Sequence, residues 1–283
     1  MGAWGTSLYS NDTTSDIRGT YRELMKFGKT NEETTNELIE MNRDIIGDME
    51  EEPLFWYALA DTQWNYGRLL ESVKDKALFF LTQDHEKERW RDSGDKKANE
   101  WKRTLEKLSV KLSTGQPKEK KISPFKIYEC KWKLGDVFAY KFTGEYSKSK
   151  GFINRYIVFR KVSEVSWYPR NIIPIVQVYN WVGDIVPDIN DIKDYPLLTI
   201  DRSKRKEGKT DRYYLTLISD SERSIPKENL SYMGNIQGGD LVPFRGHDYW
   251  IGHLSVGWEK SKYNSTIEKE IIDLMLLDRQ AIS

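Results

Sequence analysis

Three histidines, one cysteine and several closely spaced carboxylates are the residues of this 283-residue chain whose types could support catalysis or metal binding. His247 and His253 stand six apart in Gly246-His-Asp-Tyr-Trp-Ile-Gly-His253, with Asp240 and Asp248 nearby. That donor set suits a two-His, one-carboxylate metal site or a general base. In an extended strand the same spacing separates the two side chains by about 20 Å, so one shared metal requires a turn, which Gly252 permits. Ordinary polar positions on a loop or strand edge require nothing further. Cys130 is a conceivable nucleophile for a histidine base, yet a lone cysteine before Lys131-Trp-Lys133 reads more simply as a partly buried small residue. His85 is the third histidine. The sequence contains no nucleophile elbow, phosphate-binding Walker loop, zincin helix or dinucleotide fingerprint, and the expectation is a chain without a cofactor.

A second polar grouping opens the chain, in Met1-Gly-Ala-Trp-Gly-Thr-Ser-Leu-Tyr-Ser-Asn-Asp-Thr-Thr-Ser-Asp-Ile-Arg18. Gly2 and Gly5 give the backbone turn conformations, so that Trp4, Leu8 and Tyr9 fold back onto a helical core. Asn11 or Asp12 is a natural N-cap for the helix carrying Ile17, Tyr21 and Leu24, with Asp16 near its positive end. The functional alternative places Asp12, Asp16 and Arg18 around a polar pocket for a cation or a basic partner. Basic and aromatic residues also interleave in Lys131-Trp-Lys133, Arg155-Tyr156, Trp167-Tyr-Pro-Arg170 and Arg212-Tyr-Tyr214. On a small barrel these could stack bases and hold phosphates. The simpler reading has the rings in a sheet core and the cations in solvent.

Forty-four Lys and Arg balance forty-four Asp and Glu. The whole-protein field that gathers nucleic acid or an anionic membrane is therefore missing. Aromatics make up 13% of the chain, with ten Trp and sixteen Tyr, enough to build a folded core despite 31% charged residues. A single cysteine excludes an intramolecular disulfide and a thiolate metal cage. No apolar run approaches a membrane span and no signal-like segment opens the chain, so the reading is cytoplasmic.

Positioning these residues falls to two expected domains, a helical domain over 1–114 and a β-rich domain over 125–283, joined by a linker over 115–124. Helical spacing covers Thr13 to about Leu112. Thr30-Asn-Glu-Glu33 reads as a capping box, and Pro53 behind Glu50-Glu-Glu52 suits a first helical turn. Leu54 to Gly67 is apolar on nearly every face and should form the central helix, ended by Gly67. The spacing of Trp56, Leu59, Ala60, Gln63, Gly67, Ala77 and Leu78 is similar to one tetratricopeptide-type hairpin, without a second copy. Ala98, Trp101, Leu105, Leu108 and Leu112 mark a closing helix. Beyond Gly115-Gln-Pro-Lys-Glu-Lys-Lys-Ile-Ser-Pro124, short β-branched and aromatic runs at 137–142, 156–159, 172–179 and 213–218 predict an antiparallel sheet or barrel. Lys204 to Lys209 reads as a charged loop, and Thr266 to Arg279 as an amphipathic helix carrying Ile267, Ile271, Leu274 and Met275. The fold class expected is α+β.

The opening Gly-Ala-Trp-Gly followed by Asn11-Asp12 and Asp16 resembles a bacterial family of unknown function with this N-terminal pattern. Lys133-Leu-Gly-Asp-Val-Phe-Ala-Tyr-Lys-Phe142 and Asn154-Arg-Tyr-Ile-Val-Phe159 resemble the strand pair of an immunity-protein family of bacterial toxin systems. That second resemblance implies neutralisation of a toxin or effector by binding, with no cofactor. The residues themselves ask for nothing catalytic: Gly135-Asp136 turns into a strand whose Phe138 and Tyr140 face one way and Val137, Ala139 and Lys141 the other. The leading expectation is thus a non-catalytic protein-binding module. Its candidate binding residues are Trp4, Asp12, Asp16, Arg18, Asp136, Arg155, Trp167 and Tyr168, and Glu50 to Glu52 form a further candidate contact. The alternatives are an enzyme or effector acting on nucleic acid or a nucleotide, with Asp12, Asp16 and His247 or His253 in a cleft, and a single-strand nucleic-acid binder.

Overall fold

The computed structural model describes residues 5–83, 89–201, 210–212, 214–238, 241, 253–259 and 265–282. It is α+β and divides into two compact units, Met1–Phe125 and Lys126–Ser283.

The first unit is helical: α1 (Asp12–Lys26), α2 (Asn31–Met41), α3 (Glu52–Tyr66), α4 (Glu71–Leu81) and α5 (Asp95–Ser113). Asn11 caps α1, its side chain accepting from Thr14 N–H at 2.9 Å. Thr30 and Glu33 close the expected capping box of α2. Pro53 sits in the first turn of α3, where an N–H would find no helical partner. Every residue of α3 from Pro53 to Gln63 is buried, which forces α1, α4 and α5 to surround it. Gly67 ends α3 at φ +67°, and a Cβ there would stand 2.3 Å from Pro117 O. Glycine is therefore required by a close backbone approach as well as by the left-handed cap.

That approach shows where segment 115–124 runs. Lys120 N–H donates to Tyr66 O, Leu69 N–H donates to the Gln116 side chain, and Ile122 packs on the helical core. Phe125 then donates to Lys26 O and sets its ring 4.9 Å from that of Phe27. The stretch whose composition reads as a linker is held against the helices.

The second unit carries a six-stranded open sheet of order β7-β1-β2-β3-β6-β8, with strands β1 (Asp136–Lys141), β2 (Tyr156–Trp167), β3 (Asn171–Gly183), β6 (Tyr214–Leu217), β7 (Leu230–Asn235) and β8 (His253–Val256). All neighbours are antiparallel except β6 and β8. Strands β4 (Thr199–Asp201) and β5 (Thr210–Arg212) pair separately. Short helices α6 (Glu145–Ser149) and α7 (Ile189–Ile192) lie in connections, and α8 (Ile267–Ile282) ends the unit. Both sheet faces are covered, so β1 is buried on each side. Phe138, Tyr140 and Phe159 join Ile267, Ile271 and Met275 of α8 in the larger core, while Val137, Ala139 and Val158 meet Ile192 of α7 on the other face.

One carboxylate fastens α8 to the sheet. Glu268 is fully buried and accepts from Tyr140 Oη at 2.9 Å and from the N–H groups of Thr143 and Gly144 at 2.8 Å each. Burial and this neighbouring carboxylate keep the Tyr140 phenol protonated. Glu259 accepts from Glu268 N–H at 3.2 Å, and a Cβ on Gly144 would stand 2.6 Å from Glu259 Oε2 and 2.8 Å from Glu268 Oε2. Both carboxylates thus border one small space. Burial, and then the Glu268 charge, raise the Glu259 pKa.

The two acids should respond oppositely to neutralisation. Glu268→Ala strands three donors and is expected to cost about 3 kcal/mol or more in denaturant unfolding. Glu259 has a folded pKa above its unfolded value, so its ionisation costs stability as pH rises through the folded pKa, and the penalty vanishes below the unfolded one. Glu259→Gln should accordingly raise the melting temperature at neutral pH and flatten its fall between mildly acidic and neutral pH. A variant with the wild-type pH profile would contradict this.

Candidate functional site

The first unit contains a cavity of about 280 Å³ beside the N-terminal turn. A set of hydrogen bonds outside the cavity pins the turn that forms part of its wall. Tyr9 Oη donates to Asp61 Oδ2 at 2.7 Å, and Asp61 also receives Asn65 Nδ2 and, at 2.5 Å, Lys111 Nζ. Thr14 Oγ1 donates to Leu8 O, Thr104 Oγ1 to Thr6 O, and Thr6 Oγ1 to Glu100. These bonds tie residues 6–14 to α3 and α5. The fixed turn presents Gly5, Asn11 and Thr13 to the cavity, opposite Trp90 and Trp101.

The remaining wall is the acidic run before α3. Asp48 accepts the N–H groups of Glu50 and Glu51 at 2.8 and 2.9 Å, which lowers its pKa and turns the chain. The three glutamates then separate in role. Glu52 accepts from Gly47 N–H and Trp56 Nε1. Glu51 is half-buried and accepts from Thr13 Oγ1 at 2.6 Å. Glu50 is exposed, and its carbonyl rather than its carboxylate receives the Arg89 guanidinium. Glu50, Glu51 and Arg89 line the cavity. Two carboxylates, one guanidinium and two indoles make a space suited to a cationic group that stacks on an aromatic face. Trp90 already holds such a contact, with Lys97 Nζ 5.3 Å from its ring.

The cavity beside this turn is not the one the functional alternative describes, with Asp12, Asp16 and Arg18 around it. Asp12 and Asp16 do not line it; the N-cap Asn11 and Thr13 do. Asp16 is exposed, and Arg18 lies over the Tyr9 ring at 3.9 Å. Trp4, His85, His247, Asp240 and Asp248 lie outside the described residues, and His253 is described only as the first backbone position of β8.

In the second unit Asp136 is 7% exposed and acts as a turn clasp, accepting from Lys133 N–H at 2.7 Å and Asn235 Nδ2 at 2.8 Å. Arg155 pairs with Asp184 through Nε at 3.0 Å. Trp167 is half-buried against the larger core, whereas Tyr168 at the β2–β3 turn is 67% exposed. Of the interleaved basic and aromatic residues, Trp132 packs 4.3 Å from Phe138, and Tyr156 and Tyr214 are half-buried against the two sheet cores. These rings serve the sheet, as the simpler reading has it. Among the described residues no group of three or more His, Cys, Asp or Glu is arranged to hold a metal ion. No family model matches the chain, and neither a curated protein nor a solved structure matches it at a significant level.

Cys130 is buried, and burial pushes its thiol pKa up. Thiolate is the reactive form, so alkylation by iodoacetamide should be at least about 10-fold slower in the native protein than in denaturant. Mass spectrometry of timed reactions reads this directly, and equal rates would show an accessible, activated thiol.

Proposed function

We propose that the chain is a non-catalytic protein-binding module of the immunity or antitoxin kind, acting in the bacterial cytoplasm. Its helical unit receives a basic side chain of a protein toxin or effector in the cavity at the start of α3. The observation that carries this reading is the pair Glu50 and Glu51 at a preformed, tryptophan-walled cavity, with neither carboxylate in an ion pair among the described residues. Met49, 71% exposed beside them, supplies an apolar anchor next to the charge. A half-buried carboxylate held by Thr13 is worth more to a partner's cation than a fully solvated one, because less water screens it. Tyr168, on the second unit, is a further exposed anchor of the type enriched at interfaces.

The test is affinity capture of the tagged full chain from its native lysate, identification of a stoichiometric partner, and calorimetric titration of that partner. Glu51→Lys should weaken binding by about 10-fold or more, and Glu50→Lys should mainly slow association and reduce its salt dependence. Affinity unchanged in both variants would remove this cavity as the contact. Co-purifying nucleic acid in place of a protein would overturn the reading itself.

A further inference from the structure

The cavity beside the N-terminal turn has a lining that distinguishes the two kinds of basic side chain. Its volume of about 280 Å³ falls just under the roughly 300–1,000 Å³ of sites for drug-sized ligands, which is the scale of one side chain. The lining is graded in exposure. Leu54 and Trp101 are 6% and 1% exposed, Glu51 and Trp90 are half-buried, and Glu50 is exposed. Glu51 accepts from Thr13 Oγ1, a residue itself 5% exposed, so this carboxylate is anchored at a buried part of the wall. An occupant therefore meets apolar and indole surface together with a poorly hydrated carboxylate.

Charge sets the first limit. The charged residues of the lining are Glu50, Glu51 and Arg89, which together leave one negative charge for a monocation to neutralise. Arg89 is engaged elsewhere on the rim: it donates to the Glu50 carbonyl, and it adds to the backbone N–H groups in lowering the pKa of Asp48, an acid outside the lining.

Hydration and donor geometry set the second. A lysine ammonium is a compact, strongly hydrated point charge, and entry into this space strips its water. A guanidinium is planar and weakly hydrated, and its N–H donors lie in the plane, so it can rest on an indole face while its edge meets carboxylates. The lining supplies both kinds of surface, in the indoles of Trp90 and Trp101 and the acceptors of Glu50, Glu51 and Ser93.

We propose that the basic side chain this cavity accepts is an arginine, its guanidinium stacked on tryptophan and held by Glu51, and that lysine is disfavoured. The proposal rests on the reading of this cavity as the contact for a protein partner, and it specifies the residue that partner presents.

The experiment titrates the full chain with propylguanidinium chloride, the arginine side chain without its backbone, and with butylammonium chloride, that of lysine, at constant ionic strength. Indole N–H signals in heteronuclear NMR spectra read the binding, the Trp90 signal being assigned by its loss in Trp90→Phe. Propylguanidinium should shift that signal saturably and bind about fivefold or more tighter than butylammonium. Glu51→Gln, near-isosteric and still able to accept from Thr13, should weaken propylguanidinium by about threefold or more. The comparison of the two cations on the wild type carries the test if the variant fails to fold. Equal affinities, no saturable shift, or undiminished binding in Glu51→Gln would overturn the proposal. A captured protein partner that depends on Glu51, with the two cations bound alike, removes the arginine and leaves the protein-binding reading standing. Guanidinium selectivity without any protein partner supports the site and removes that reading.

Discussion

Helix α3 has no solvent face, and the helical unit is organised by that constraint. Phe55 and the four consecutive residues Tyr57, Ala58, Leu59 and Ala60 are wholly buried, so an amphipathic partner on one side could never suffice. Elements must close round it from several directions. Polar residues on the same helix make this closure specific: Asp61, mid-helix and nearly buried, gathers Tyr9, Asn65 and Lys111. Burial would penalise that carboxylate heavily without these donors. With them, it fixes the N-terminal turn and α5 against α3 at one point. The cavity lies where the same turn meets the residues around the start of α3, lined by Asn11 and Thr13 on one side and Glu51 and Leu54 on the other.

The sheet of the second unit faces the same demand in another form. Covered on both faces, it cannot follow a simple alternation of apolar and polar residues, and β1 and much of β2 and β3 read as nearly continuous buried runs. Where polar residues do enter such strands, the neighbours decide what they mean. Glu268 comes from α8 and meets two backbone N–H groups and a phenol, which completes its shell and locks the helix in place.

Much of this was legible in the sequence because it rests on local chemistry. The caps at Asn11 and Thr30, the proline in the first turn of α3, the stop at Gly67 and the strands beginning at Asp136, Tyr156 and Asn171 follow from residues within one turn or strand. Strands β7 and β8 were not legible. Leu-Ser-Tyr-Met-Gly-Asn235 has few β-branched residues, and it forms a strand because β1 offers it a ladder. Segment 115–124 has the composition of a linker, but its order comes from partners distant in sequence, Tyr66 and Leu69. The cavity lining was half legible: the turn and the acidic run are visible as motifs, but the choice of Thr13 over Asp12 and Asp16 is not.

Comparison of Glu268 with Arg160 separates two uses of buried charge. Both are buried, both sit at the sheet, and each is an ion that the interior would reject if left alone. The glutamate has donors for both oxygens, so its network is closed and its role is complete within the chain. The arginine, among the described residues, has neutral acceptors on two nitrogens and none on the third. A fold that needed only a rigid joint there would gain by an apolar residue of similar volume, because a half-satisfied polar network is worse than none. The same reasoning covers Glu51, which the fold holds with one hydroxyl and leaves otherwise open at the cavity. Incomplete satisfaction of a well-positioned charge at a cavity thus distinguishes a group available for binding from one consumed in holding the structure together.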